Sequence, residues 1–467
     1  MNLHCDVAII GAGTAGLAAE RNARVHGAST LIIDPAFAGT TCATVGCMPS
    51  KLLIAAATAA HGVRRAAQFG VSASPAIDGA AVMARVRAER DRFAAMTRAG
   101  IAKLPDETTI RARAKFADAK TLVLDDGRSV TAKAIVIATG SRPSVPGAFE
   151  PIADCVLTNE TVFELQTLPA SLAVIGAGPL GLELAQAMAR LGVRVTLLDK
   201  ADKLAALDDE RVAARLKAVL AKEMTLILGV EIEAQSADGK ARLQWSGAET
   251  GQGLFDHVLV AAGRPPALKD LDLDKAVLTL DKHGVPLFDR DTMRCGDSAV
   301  FIAGDASSDL PVLHEASAAG AIAGYNAARY PHVTAGRRTL PFSIMFTDPP
   351  LAVIGRTDTA RLITGESDYR DQGRARIEAQ NEGLARLHAD PGDGRLVGAT
   401  LLCPGADHLG HLLAWAIEAE QTAHMLLERP FYHPTLEEGL KTALRAICKM
   451  AGTSPVETSD EGNLPGG

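Results

Sequence analysis

An α/β fold with two Rossmann-like dinucleotide-binding units and a C-terminal α+β unit is predicted by three features of the sequence. One glycine signature occurs twice, an acidic residue follows each copy at the same separation, and the chain beyond about residue 341 lacks any such signature. The first copy reads Val7-Ala8-Ile9-Ile10-Gly11-Ala12-Gly13-Thr14-Ala15-Gly16 and runs through a helical stretch to Thr30-Leu31-Ile32-Ile33-Asp34. The second reads Ala173-Val174-Ile175-Gly176-Ala177-Gly178-Pro179-Leu180-Gly181, followed by Val193-Arg194-Val195-Thr196-Leu197-Leu198-Asp199. In each, a short apolar run fits a buried strand, and the glycines let backbone N–H groups approach a pyrophosphate at the next helix N-terminus. The third glycine, Gly16 or Gly181, lets helix pack on strand. The acid, Asp34 or Asp199, can accept hydrogen bonds from ribose hydroxyls. Asp199 repels a 2′-phosphate and has Lys200, not arginine, beside it, so the second unit is expected to prefer NAD(H).

Between the two signatures lies Gly39-Thr40-Thr41-Cys42-Ala43-Thr44-Val45-Gly46-Cys47-Met48-Pro49-Ser50-Lys51. In a straight helix five residues rise about 7.5 Å, whereas disulfide-linked Cα atoms rarely lie more than ~7 Å apart. If Cys42 and Cys47 pair, the chain between them bends, and Gly46 permits the bend. So short a loop gains little stability from closure, which suits an electron store better than a staple. The alternative is two buried thiols that never meet. A disulfide does not readily accept a hydride from nicotinamide, so a flavin relay, FAD on the first signature, is expected between them.

The remaining elements follow in order. Lys51 to Ala67 fits a helix, with Pro49 tolerated in its first turn. Val82 to Leu104 fits a longer, arginine-rich amphipathic helix. Short strands are expected at Lys115–Ala117, Thr121–Leu124 and Ala134–Gly140, and a Pro/Gly-rich link at Arg142–Gly147 closes the first part of the FAD unit, residues 1–147. The NAD unit spans 148–267 and ends near Ala261-Ala262-Gly263-Arg264-Pro265. Residues 268–340, with the strand Ala299–Ile302 and Ala303-Gly304-Asp305, return to the FAD unit. The C-terminal unit spans 341–451, and the polar stretch 452–467 is expected to be disordered.

Apolar content of 47%, charge content of 22% and a net charge of −7 describe an ordinary globular chain and argue against a nucleic-acid partner. Arg64-Arg65 and Arg337-Arg338 read as solvated surface. The N-terminus enters a strand without a charged leader, and no uninterrupted apolar run suggests a bilayer span, so a cytoplasmic protein with no membrane partner is expected. Seven cysteines in 467 residues do not make a disulfide scaffold. Cys42 and Cys47 lack a second Cys/His pair at zinc-like spacing, so no metal is expected. Cys5, Cys155, Cys295, Cys403 and Cys448 read mostly as small buried apolar residues.

Taken together, the two signatures, Cys-x4-Cys-x-Pro-Ser-Lys, Ala138-Thr139-Gly140, Ala303-Gly304-Asp305 and His433-Pro434-Thr435-x-x-Glu438 resemble the pyridine nucleotide–disulfide oxidoreductases over nearly the whole length. Within that family the chain is similar to the dihydrolipoamide dehydrogenases. The resemblance implies FAD against Gly11, Gly13 and Gly16, with Asp34 on its ribose and Asp305 near its ribityl and phosphate groups. It implies NAD on Gly176, Gly178, Gly181 and Asp199. Gly39, Thr40, Thr41, Thr139, Gly140, Gly304 and Gly263 join the cofactor-binding set. Lys51, ion-paired with Glu183, would stand by the flavin. The C-terminal unit would make a two-fold homodimer in which His433, paired with Glu438, reaches the partner's active site.

A dithiol must lose a proton before it attacks a disulfide, and a histidine oriented by a carboxylate serves as the base. With Pro434 placed in a first helical turn, spacing allows Glu437 or Glu438 as that carboxylate, and the family pattern selects Glu438. His314-Glu315 reads as structural support near the flavin. The implied reaction oxidises dihydrolipoamide, carried by a lipoyl-bearing protein or a 2-oxo acid dehydrogenase-type complex, at Cys42 and Cys47 with reduction of NAD. The alternatives are an NADH-dependent reductase of another disulfide or acceptor, and a redox-sensing flavoprotein of low turnover. The chain departs from its relatives at Ala43-Thr44 and at Phe431-Tyr432, and lacks the C-terminal cysteine pair of mercuric reductase.

Overall fold

Apolar runs that are buried on both faces favour parallel sheets sandwiched between helices, and both signature strands obey this. The computed structural model describes residues 2–453. Asn2–Ile10 lies between Thr30–Ile33 and Ser129–Ile137, parallel to both, and Thr109–Ile110 extends the far side. The C-terminal half of Ser129–Ile137 pairs in parallel with Val300–Ile302, so residues beyond the second nucleotide unit complete the first sheet. A short antiparallel ribbon, Ala114–Phe116 with Thr121–Leu124, finishes it.

Helix α1 (Thr14–Val25) leaves the first glycine turn. Then come α2 (Thr41–Thr44), α3 (Cys47–Arg65) and α4 (Gly79–Ile101), the last starting three residues earlier than its apolar periodicity predicts because Asp78 caps it through Ala81. One helical stretch among the described residues, Thr41–Phe69, is long and apolar enough to cross a membrane, which the sequence reading did not anticipate. Its apolar face, including the fully buried Leu53 and Ala57, packs against α4 and against α5 (Pro179–Arg190), the helix that leaves the second glycine turn.

The second sheet is all parallel, in the order Thr225–Leu228, Arg194–Asp199, Ser171–Ile175, His257–Val260, Val156–Leu157. Its registers repeat those of the first sheet: Ile175 faces Leu198 as Ile10 faces Ile33. The three-stranded antiparallel sheet Val230–Ala237, Lys240–Gly247 and Gly251–Phe255 packs on it. Helix α6 (Glu210–Leu220) covers one face, and α7 (Leu313–Arg329) lies against α1.

The C-terminal five-stranded sheet is antiparallel, in the order Phe342–Met345, Leu351–Gly355, Leu396–Leu402, Leu384–Ala389, Ile363–Asp368. Helices Ala406–Glu418 and Leu440–Ala451 cover it. Gly452 takes a left-handed cap and the Thr453 N–H donates to Cys448 at 2.9 Å, so the last helix claims two residues assigned to the tail; the rest of that tail lies outside the described residues. Cys155, Cys295, Cys403 and Cys448 are buried and Cys5 half-buried.

Three arginines of the two pairs correct the surface reading, whereas Arg337 is exposed as expected. Arg65 donates to the carbonyls of Glu378 and Ala379, both at 2.7 Å, and Arg64 to that of Arg190. Arg338 is ion-paired with the buried Glu315 at 2.6 Å, which also fixes Glu315 as structural. These guanidiniums find partners on distant segments because the fold brings those segments over α3 and α7.

Candidate active site

Both glycine turns are built the same way. Gly11 has φ +105° and Gly176 φ +110°, and a Cβ on either would sit about 2.5 Å or less from a strand carbonyl, Ala138 or Ala261. Only glycine serves there. Gly16 and Gly181 pack against the carbonyls of Gly11 and Gly176, whereas Gly13 and Gly178 face open space at the helix N-termini. The two acids also anchor their turns, a role the sequence reading missed. Asp34 Oδ2 accepts from the Ala12 N–H at 3.0 Å and its Oδ1 from Ala36 and Phe37. Asp199 does the same for Ala177, and for Ala201 at 2.8 Å.

Two cavities follow the first signature. The larger, about 920 Å³, is lined by Gly11, Asp34, Thr139 and the 265–271 segment. The smaller, about 200 Å³, is lined by Gly13, Thr41, Cys42, Gly46, Cys47, Gly140, Arg264, Gly304 and Asp305. Thr139 Oγ1 is buried and has no partner among the described residues. An orphan hydroxyl in such a cavity is what a bound polar group would satisfy. The residues present therefore fit an extended dinucleotide such as FAD. Gly39, at φ +106°, precedes Thr40, whose hydroxyl caps α2 through the Ala43 N–H; both shape the cysteine loop outside the cavity walls.

The chain bends between Cys42 and Cys47, as their pairing requires. Helix α2 ends at Thr44 and α3 begins at Cys47. A Cβ on Gly46 would lie 2.9 Å from the Thr41 carbonyl, so close approach makes glycine necessary there. The cysteines are unbridged and near enough that each alters the acidity of the other. Cys47 reaches the surface; the Cys42 contact and the Lys51 charge lower its pKa to about 6, outweighing its partial desolvation. Cys42 moves the other way, through its contact with Cys47 and through burial.

Lys51 Nζ meets Glu183 Oε2 at 2.7 Å and lies 4.5 Å above the Phe346 ring. The Phe346 N–H donates to the other Glu183 oxygen at 2.8 Å. One carboxylate of α5 thus joins the cysteine helix to the C-terminal unit, a partnership with no sequence signal because Phe346 contributes its backbone.

His433 and Glu438 are together: Nδ1 lies 3.0 Å from Oε2, and Glu438 is only 4% exposed. Glu438, not Glu437, is the partner. Pro434 is not in a helical turn, a correction. Its peptide bond is cis, and the helix starts as a 3₁₀ turn only at Glu437. The preceding segment is held from below instead. Tyr369 donates to the Leu436 carbonyl at 3.0 Å and Gln372 to the Thr435 carbonyl at 2.8 Å. His433 does not line either cavity. Gly263, at φ +114°, precedes Arg264, which points into the cysteine cavity.

Residues 5–321 match the family described as pyridine nucleotide-disulphide oxidoreductase, and residues 342–444 match its dimerisation domain. The chain is 30% identical over 464 residues to dihydrolipoyl dehydrogenase of Bacillus subtilis, covering 95% of this chain and 99% of that protein. It is 31% identical over 459 residues to mercuric reductase of Streptomyces lividans, covering 95% and 96%. In fold it resembles the Cu(II) complex of the HOCl-induced flavoprotein disulfide reductase RclA from Escherichia coli, with TM-score 0.80 at 22% identity over 94% of this chain and 99% of that one.

Proposed function

Because the chain belongs to the pyridine nucleotide-disulphide oxidoreductase family, whose enzymes use FAD and a pyridine nucleotide, we propose that it is a dihydrolipoyl dehydrogenase that oxidises carrier-bound dihydrolipoamide with reduction of NAD+. Residues 1–147 and 268–340 form the FAD-binding unit in this reading, 148–267 the NAD-binding unit and 341–451 the dimerisation unit. The protein works in the cytoplasm as a homodimer, in which the His433–Glu438 pair of one protomer serves the sulfurs of the other. The observation that carries the choice of substrate is the imidazole held by a buried carboxylate, since a dithiol substrate needs a proton acceptor.

One substrate thiol passes its proton to His433, and its sulfur attacks Cys42 of the Cys42–Cys47 disulfide. Cys47 leaves as a thiolate, which the positive charge of the neighbouring Lys51 favours. The second substrate sulfur attacks the mixed disulfide, closing lipoamide and expelling Cys42, which takes up that thiol's proton. This leaves Cys42 as a thiol, Cys47 as a thiolate and one proton on His433. Gly11, Gly13, Gly16, Thr139 and Asp305 would hold FAD, which when bound would supply two-electron transfer between the sulfur pair and nicotinamide. Glu183 fixes Lys51 beside that relay, and Gly176, Gly178, Gly181 and Asp199 hold NAD.

A second reading, an NADH-driven reductase of another acceptor, is supported by the similarity to mercuric reductase and by Tyr432, 84% exposed beside His433. A substrate panel on the FAD-bound protein separates them: NADH consumption with lipoamide, glutathione disulfide and Hg(II), and NAD+ reduction with dihydrolipoamide. Turnover with the lipoyl substrates is expected to dominate. Turnover with another acceptor and none with lipoamide overturns the proposal.

A further inference from the structure

Five segments that are distant in sequence meet behind the cysteine loop in one hydrogen-bonded chain. Asn159, only 3% exposed, donates through Nδ2 to the carbonyl of Val45 at 2.9 Å, and Val45 lies between the two cysteines. Its Oδ1 accepts from Arg264 Nη1 at 2.7 Å. Arg264 also donates to the Ser141 hydroxyl at 3.2 Å and the Ser141 carbonyl at 2.9 Å, and that hydroxyl donates to Asp305 at 2.7 Å. The cysteine loop, the turn after the Val156–Leu157 strand, Ser141, the residue after Gly263 and the acid of the small cavity are thereby locked together.

We infer that Asn159, oriented by Arg264, is a positioning residue that sets how readily the Cys42–Cys47 pair is reduced, by holding the Val45 carbonyl and with it the bend between the cysteines. This rests on the reading of that pair as the redox centre. A disulfide needs the bend; a dithiol does not. A fixed Val45 keeps the sulfurs facing each other in both states, which raises the effective concentration of one thiol at the other and stabilises the oxidised form. Releasing Val45 lets the dithiol relax and makes the disulfide easier to reduce. One hydrogen bond with a partner aligned by a guanidinium is expected to change the equilibrium roughly tenfold, which for two electrons is about 30 mV.

The test equilibrates the FAD-bound enzyme anaerobically with dithiothreitol buffers of graded oxidised-to-reduced ratio. Oxidised dithiothreitol takes two electrons and two protons from Cys42 and Cys47 and becomes the dithiol; trapped thiols are counted by mass spectrometry. Asn159→Asp retains an acceptor for Arg264 and the residue's shape, but removes the donor to Val45; Asn159→Ala removes both. The expected result is a midpoint about tenfold towards the oxidising side for Asn159→Asp, with FAD retained and thermal unfolding little changed. Should Asn159→Ala not fold, the aspartate variant alone decides. A wild-type pair that titrates while Asn159→Asp matches it overturns the tether alone. A wild-type pair that never oxidises overturns the functional reading and the tether with it.

Discussion

Replacing Lys51 by methionine should move the acid–base behaviour of Cys47 by an amount set by the local geometry. Lys51 follows Cys47 by four residues on α3, which places the two side chains about 6 Å apart. At an effective dielectric constant of ~20 a charge pair at that distance interacts by about 3 kcal/mol. Lys51 is 34% exposed, so solvent screening roughly halves this to about 1.5 kcal/mol, or about one pH unit. The Cys47 thiol, held at about 6, should therefore titrate about one unit higher in Lys51→Met. Glu183 acts on Cys47 with the opposite sign, so Glu183→Gln should move the thiol downward, by less because the carboxylate lies beyond the ammonium. The sign follows from which form is charged: the thiolate is present above the pKa and lost as pH falls through it. The assay is the rate of iodoacetamide labelling of the reduced, FAD-bound enzyme against pH, with Cys47 adducts resolved by mass spectrometry. A Lys51→Met profile that coincides with wild type, or shifts to lower pH, would refute the electrostatic role given to Lys51.

Removing the base in His433→Gln should slow dihydrolipoamide oxidation at least about 10²-fold while NADH still reduces the bound flavin; unaltered steady-state kinetics would contradict its role. Asp199→Arg should narrow the preference for NADH over NADPH and weaken both, because the same carboxylate anchors Ala177 and Ala201; comparing kcat/KM for the two nucleotides checks this, and an unchanged ratio argues against the ribose contact. His388 is fully buried against Thr364, and burial lowers its pKa to about 4. The unfolded chain then binds more protons between about 6.5 and 4, so stability should fall as pH drops through that window, by at most about 3.4 kcal/mol. His388→Gln should flatten this slope in urea unfolding, and an identical slope would show that another group dominates.

The parts of the site that are local in sequence were legible in it. Each glycine turn carries its strand, helix and acid within one unit, and the five-residue spacing of Cys42 and Cys47 already required the bend that Gly46 supplies. The resemblance carried what spacing left open, namely Glu183 for Lys51 and Glu438 for His433. What sequence did not announce depends on backbone groups or distant segments. The Phe346 N–H on Glu183, the Asn159 contact with Val45, and the Tyr369 and Gln372 contacts beneath Thr435-Leu436 all have neutral or backbone partners, which leave no periodic trace. Pro434 misled because proline suits a first helical turn. Here the Thr435 and Leu436 carbonyls are taken by Gln372 and Tyr369, and the helix starts later.

The claim on which the rest depends is that an electron pair passes between the two active-site sulfurs and a pyridine nucleotide by way of bound flavin. Anaerobic addition of NADH to the purified, FAD-loaded enzyme, followed by absorbance and by thiol labelling, tests it most directly. The account predicts that NADH is consumed and that label appears on Cys42 and Cys47 and on no other cysteine. Protein that takes up no FAD, or a reduced flavin with both sulfurs still unlabelled, would contradict it.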